Sequence, residues 1–252
     1  MKMTDRKKGL GLFVGLAMCL TGVMVWASSA GPGISPDEAL ARLKQGNDRY
    51  VAGKAEHPRA DKQRREETAT KGQHPIAAVI GCSDSRGPVE IIFDQGIGDV
   101  FVIRVAGNVA NADEVGSAEY AVEHLGAPVI VVLGHTSCGA VTAVAKGAHL
   151  GGSLPPLVKN INTAVAKVKK ADPKLADQAL VDAAIKANVW QSIEDLFKTS
   201  PDIRKFAKEG KIKLVGAMYH LDSGQVDWMG QHPDQAKFLG AAAQAAPAKK
   251  TD

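Results

Sequence analysis

Residues 76–86 read IAAVIGCSDSR: five apolar residues, a glycine, then a polar loop. The run from Ile76 to Ile80 is short and has no polar alternation, so it reads as a strand covered on both faces. The same form recurs downstream. Val100-Phe101-Val102-Ile103 and Pro128 to Leu133 are further apolar runs. Stretches of helical character follow each strand, at 88–93, 113–125 and 140–146. Such alternation predicts a parallel sheet with helices on both faces. Further on, Leu180, Ala184, Val189, Ile193 and Leu196 lie near helical spacing within 174–198. Ser200-Pro201-Asp202 opens a short helix, and Lys211 to Tyr219 is a fourth strand. Asp222-Ser223-Gly224 then turns the chain into a last strand around Val226-Asp227-Trp228. The expected fold class is α/β, a central and mostly parallel β-sheet flanked by helices.

Upstream, Ser35-Pro36-Asp37-Glu38 has the form of a capping box opening a helix that continues through Leu40, Leu43 and Tyr50. From Lys54 to Gln73 the chain is charged and lacks an apolar period, which reads as an arm or linker. Before that lies a basic start, an uncharged apolar run from Leu10 to Trp26, and the small residues Ala27-Ser28-Ser29-Ala30. These are the three parts of a secretory leader. Cleavage after Ala27 or after Ala30 satisfies the small-residue requirement, Ala30 being favoured, with a periplasmic or secreted product that has no stable membrane insertion. The alternative is an uncleaved N-terminal membrane anchor. The expected organisation is a signal peptide over 1–30, an N-terminal helical arm over 31–75, an α/β catalytic domain over 76–233, and a flexible tail over 234–252.

In a chain of 252 residues, 45% hydrophobic and 23% charged residues exclude full disorder. The formal charge of +4 does not indicate a nucleic-acid partner. Lys2, Arg6, Lys7 and Lys8 against Asp5 supply +3 of it, leaving the rest of the chain nearly neutral. Gly96-Ile97-Gly98 precedes a strand, whereas a dinucleotide-binding fingerprint follows one.

Ligands of open parallel sheets gather beyond the carboxyl ends of strands. Two such ends carry unusual residues, Gly81-Cys82-Ser83-Asp84-Ser85-Arg86 and Gly134-His135-Thr136-Ser137-Cys138-Gly139. If both loops meet, Cys82, His135 and Cys138 form an open site of the kind a catalytic zinc occupies. Two other readings stand beside it: a Cys82–Cys138 disulfide, natural in an exported protein, and buried cysteines acting as small apolar residues.

CSDSR at 82–86 and HTSCG at 135–139 resemble the two signatures of β-class carbonic anhydrases. FVIRVAGN at 101–108 is similar to that family's middle segment, as are EYAV at 119–122 and GAMY at 216–219 with Ser223-Gly224 after it. The similarity runs over about residues 35 to 230, in order. It implies Zn2+ held by Cys82, His135 and Cys138, and reversible hydration of carbon dioxide to bicarbonate and a proton by zinc-bound hydroxide. Asp84 is then the acceptor that orients the hydroxide, and Arg86 is the guanidinium that grips Asp84. The resemblance also implies a substrate pocket lined by Gln73, Phe101 and Tyr120 at a subunit interface, hence a homodimer or higher homo-oligomer. In the family the arginine can release the aspartate, which then takes the metal's fourth position. Some relatives stabilise that closed form with a tryptophan shortly before the first cysteine, where this chain has Val79. Two alternatives share the ligands: hydrolysis of carbonyl sulfide or carbon disulfide, and a zinc- or redox-responsive binding protein. A mere binder needs no polarised fourth position, so the Asp84/Arg86 pair counts against the second. His124, His149 and His220 read as surface histidines.

Overall fold

The protein is described from a computed structural model covering residues 31–240. The expected leader and cleavage site over 1–30, and residues 241–252, lie outside the described residues. Helix α1 (Pro36–Val51) begins as predicted, with Ser35 Oγ accepting the Glu38 N–H at 3.2 Å and Pro36 in the first turn. The second half of the expected capping box is not made, because the Glu38 carboxylate turns to Arg42 at 2.9 Å. Helix α2 (Lys62–Lys71) falls within the stretch expected to be a linker. It buries none of its residues, so no apolar period announces it. Asp61 caps it by accepting the Arg64 N–H at 2.7 Å, and Arg64 Nε donates to the Ile97 carbonyl at 2.8 Å.

Next come β1 (Ala77–Gly81), α3 (Val89–Ile92), β2 (Val100–Arg104), α4 (Ala112–Glu123), β3 (Val129–His135) and α5 (Gly139–Ala145). Two helices unannounced in the sequence reading follow, α6 (Leu154–Leu157) and α7 (Lys159–Ala171). The remainder is α8 (Asp177–Thr199), α9 (Pro201–Lys208), β4 (Lys213–Tyr219), β5 (Val226–Gly230) and α10 (Gln235–Phe238). The sheet order is β2-β1-β3-β4-β5, parallel except for β5, which runs antiparallel to β4.

Every residue of β1 and β3 is buried, as their unbroken apolar runs require. One face of the sheet packs against α4, α5, α7 and α8, and the other against α1 and α3. Helix α8 lies close over β3 and β4 because two facing positions lack side chains. A Cβ at Gly134 would stand 2.6 Å from Val189 Cγ2, and one at Gly216 would stand 2.9 Å from Val189 Cγ1. Val189 is seated in the groove these glycines leave and is fully buried. The expected tail from Asp234 is folded at its start, where Phe238 stacks on Phe197 with centroids 5.9 Å apart. Among the described residues, no helix is long and apolar enough to cross a membrane.

Candidate metal centre

Strands β1 and β3 are neighbours with Gly81 opposite Leu133, so Cys82 leaves β1 beside the end of β3. His135 is the last residue of β3. Ser137, at φ 55°, reverses the chain, and Cys138 becomes the N-cap of α5. The two sulfurs stand 4.0 Å apart, and a ligand atom from each of Cys82, His135 and Cys138 lies within 4.8 Å of the others. Tetrahedral bonds of about 2.3 Å would place two thiolates about 3.8 Å apart, whereas a disulfide needs about 2.0 Å. Both cysteines are free. The spacing is therefore that of metal ligands.

The imidazole agrees. His135 Nδ1 is 2.9 Å from the Thr136 carbonyl, so an N–H there leaves the lone pair on Nε2. Nε2 is buried without a hydrogen-bond partner. Leaving such a group unsatisfied costs about 1–3 kcal/mol, and a cation between it and the sulfurs removes that cost. The donor set thus fits a metal ion with one open position.

The sulfurs are surrounded by backbone donors. Cys82 Sγ accepts the N–H of Asp84 at 3.4 Å and of Gly107 at 3.3 Å. Cys138 Sγ lies at the start of α5, where the Ala140 and Val141 amides favour its charged form. Cys82 is pushed down to about 4, first by the hydrogen bond from Cys138, then by His135 and the Gly107 and Asp84 amides, against its burial. Cys138 is driven up, chiefly by its contact with the Cys82 sulfur and then by burial. Burial pushes His135 down, but the Cys82 sulfur, the Thr136 carbonyl and Asp84 outweigh it and leave the imidazole raised.

Asp84 is gripped by Arg86 through two side-chain bonds, Nε to Oδ1 at 2.9 Å and Nη2 to Oδ2 at 2.7 Å, and by the Arg86 N–H at 3.0 Å. This bidentate contact holds the Asp84 carboxyl well below the usual carboxylate range. Its Oδ2 lies 3.9 Å from His135 Nε2, at the edge of the donor cluster. Arg104, the last residue of β2, fixes the loop that carries Cys82 and Asp84. Its Nε donates to the Cys82 carbonyl at 2.9 Å and its Nη2 to the Asp84 carbonyl, tying the loop down. As the one charge ending an otherwise apolar strand, it carried a readable signal.

The expected pocket residues do not join this cluster within one chain. Phe101 pairs with Ala78, four residues before Cys82, or about 13 Å back along the strand. Gln73 precedes β1 and lines a surface cavity with Arg65, Thr68 and Ile97. Tyr120 packs on Phe101 with ring centroids 6.0 Å apart and is 40% exposed. Among the histidines, His220 Nε2 pairs with Asp227 at 2.8 Å and His124 packs on the Tyr120 ring.

The sequence profile of the family described as Carbonic anhydrase matches residues 77–226. Carbonic anhydrase 2 of Mycobacterium tuberculosis (strain ATCC 25618 / H37Rv) is 39% identical over 198 residues, covering 77% of this chain and 93% of that protein. The solved β-carbonic anhydrase CcaA superposes with a TM-score of 0.63 at 27% identity, covering 82% of this chain and 100% of that one. A tetrameric β-carbonic anhydrase of Sordaria macrospora gives 0.61 at 25% identity, covering 77% and 98%. The profile match, the similar chain and the shared fold agree with the two motifs that meet at the Cys-His-Cys cluster, and the protein belongs to the β class of the carbonic anhydrase family.

Proposed function

We propose that Cys82, His135 and Cys138 hold Zn2+ and that the protein catalyses reversible hydration of carbon dioxide to bicarbonate and a proton. The observation that carries this reading is the convergence of two sulfurs and an unpartnered imidazole nitrogen beside a carboxylate fixed by Arg86. A bound Zn2+ supplies Lewis acidity that lowers the pKa of water at its open position towards neutrality. Two thiolates and a neutral imidazole would balance the charge of the ion, and the Asp84 and Gly107 amides disperse the negative charge on the Cys82 sulfur. The Asp84 carboxylate, held ionised, can only accept. It takes a hydrogen bond from the attacking water and leaves that oxygen's lone pair directed at the carbon of carbon dioxide. Arg86 cancels the repulsion that a free carboxylate would exert beside the nucleophile. While Arg86 grips it, the Asp84 carboxylate is kept from acting as a further ligand to the ion that Cys82, His135 and Cys138 would hold.

Stopped-flow hydration of carbon dioxide, in zinc-replete reducing buffer, tests this. A rate well above buffer that disappears in Cys82→Ser is expected. No rate with carbon dioxide, alongside turnover of carbonyl sulfide or carbon disulfide, would overturn the substrate assignment.

The same reading includes assembly and location. A second copy could bring Gln73, Phe101 and Tyr120 to the site, which within one chain Phe101 does not reach, so a homodimer or higher homo-oligomer is proposed, supported by the tetrameric relative. Sedimentation equilibrium checks it, and a purely monomeric active enzyme would overturn it. The leader pattern of residues 1–30 supports export to the periplasm. Sequencing of the mature N-terminus is expected to begin at Gly31.

A further inference from the structure

We infer that Asn188 is a positioning residue for the metal centre: it pins the turn that aims the Gly107 N–H at the Cys82 sulfur. The inference rests on the proposed zinc site. Asn188 sits on α8, fully buried, 81 residues from its partner, and its Nδ2 donates to the Gly107 carbonyl at 2.7 Å. The Asn108 N–H that completes the same peptide donates to the Val105 carbonyl at 3.1 Å. That peptide is thus held at both ends. Val105 to Asn108 forms a turn whose third residue, Gly107, has φ +80°, the sign a type II turn requires at that position.

Glycine is needed there twice over, because a Cβ would also stand 2.7 Å from Ile161 Cδ1. Its conformational freedom is also a weakness, since an unanchored glycine rotates readily. With the following peptide fixed, the N–H of Gly107 is directed at Cys82 Sγ at 3.3 Å. Ser192, one turn further along α8, makes a similar bond at 2.9 Å, but to the Asn108 carbonyl, and its hydroxyl also meets the Asn188 backbone carbonyl at 3.0 Å, leaving the Asn188 side chain free for Gly107. It anchors the same loop without holding the residue that faces the sulfur. Amide hydrogen bonds to a ligand sulfur stabilise its charge and orient its lone pairs towards the metal.

The pair Asn188 and Ser192 separates positioning from plain stability. Asn188→Leu and Ser192→Ala are compared in the full protein after loading with Co2+ and, separately, with Zn2+. In Asn188→Leu the thiolate-to-cobalt charge-transfer band is expected to shift, and zinc release to a chelator to quicken about tenfold. In Ser192→Ala the melting temperature falls while band and release stay as in wild type. A folded Asn188→Leu with the wild-type band and release rate would overturn the inference. Should leucine prevent folding, Asn188→Ser is too short to reach the carbonyl and is read in the same way. In the wild-type protein loaded with 113Cd, the Gly107 amide proton is expected to couple to cadmium through Sγ, and absence of that coupling also overturns it. Failure of the wild type to take up any of these metals at its two cysteines would instead overturn the zinc reading itself.

Discussion

Asn47 of α1 and Asn188 of α8 are buried polar residues on helices packed against opposite faces of one sheet, at 3% and 0% exposure. Asn47 uses its whole amide. Its Nδ2 donates to the carbonyls of Ile92 and Gly224 at 3.1 and 2.9 Å, and its Oδ1 accepts the Val226 N–H at 2.9 Å. It ties α1 to the last residue of α3 and to the β4–β5 turn and the start of β5. Asn188 makes one strong contact, with its Oδ1 left without a partner, and that contact leads to a residue facing a metal ligand. A fully satisfied buried amide holds a fold, whereas one kept at the cost of an unsatisfied atom points to a task elsewhere. Asn47 thus serves the packing of the α1 face, and Asn188 links the α8 face to the chemistry.

Substitutions at the metal end should move metal content or turnover and leave folding alone, while those under α1 should do the reverse. The largest effect is expected from Cys138→Ser, which removes a thiolate ligand. Activity should fall by more than the roughly 100-fold that marks the loss of an outer-shell partner, together with bound zinc. Metal analysis beside the rate checks it, and retained zinc would show the ligand set to be wrong. Asp84→Asn follows, with zinc kept and turnover down about 100-fold, or about 2.7 kcal/mol. An unchanged rate would take Asp84 out of the mechanism. Next, Asn47→Ala should cost about 2 kcal/mol in urea unfolding, through three lost hydrogen bonds, with zinc content unaltered. Loss of zinc in that variant would break the division between the faces.

The smallest effect lies in acid. Burial opposes ionisation of Asp94, yet the Glu56 and His57 amides and Arg49 outweigh it and hold the carboxyl below its usual value. Its contribution is complete above the unfolded carboxyl value of about 3.9 and is lost only as pH falls through the lower folded value. Wild-type stability should therefore drop more steeply than that of Asp94→Asn in this range, and parallel curves would remove Asp94 from the linkage.

The strands were legible because β1, β2 and β3 are near-continuous apolar runs ended by polar loops. The Cys82, His135 and Cys138 cluster was legible because its residues sit at strand ends, where the topology gathers chemistry. Helix α2 was not, since its order comes from the Asp61 cap and arginine contacts rather than from an apolar face. Helix α7 has its buried residues Ile161, Ala164 and Val165 at helical spacing, but lysines and small side chains blur the pattern. Asn188 was out of reach because its partner is remote in sequence and only packing joins them. Gln73, Phe101 and Tyr120 came from family likeness alone, and the β1–β2 register keeps Phe101 away from the cysteine end of its own chain.

The groove that seats Val189 has a chemical consequence. Gly134 and Gly216 act as a spacer of zero thickness, and they set the height at which α8 rides over β3 and β4. Asn188 immediately precedes Val189, so that height is also the length of the lever between the helix and the Gly107 turn. A methyl group at either glycine would lift the lever before it touched any ligand. The tolerance of the site for error is therefore set partly by two side chains that the protein does without.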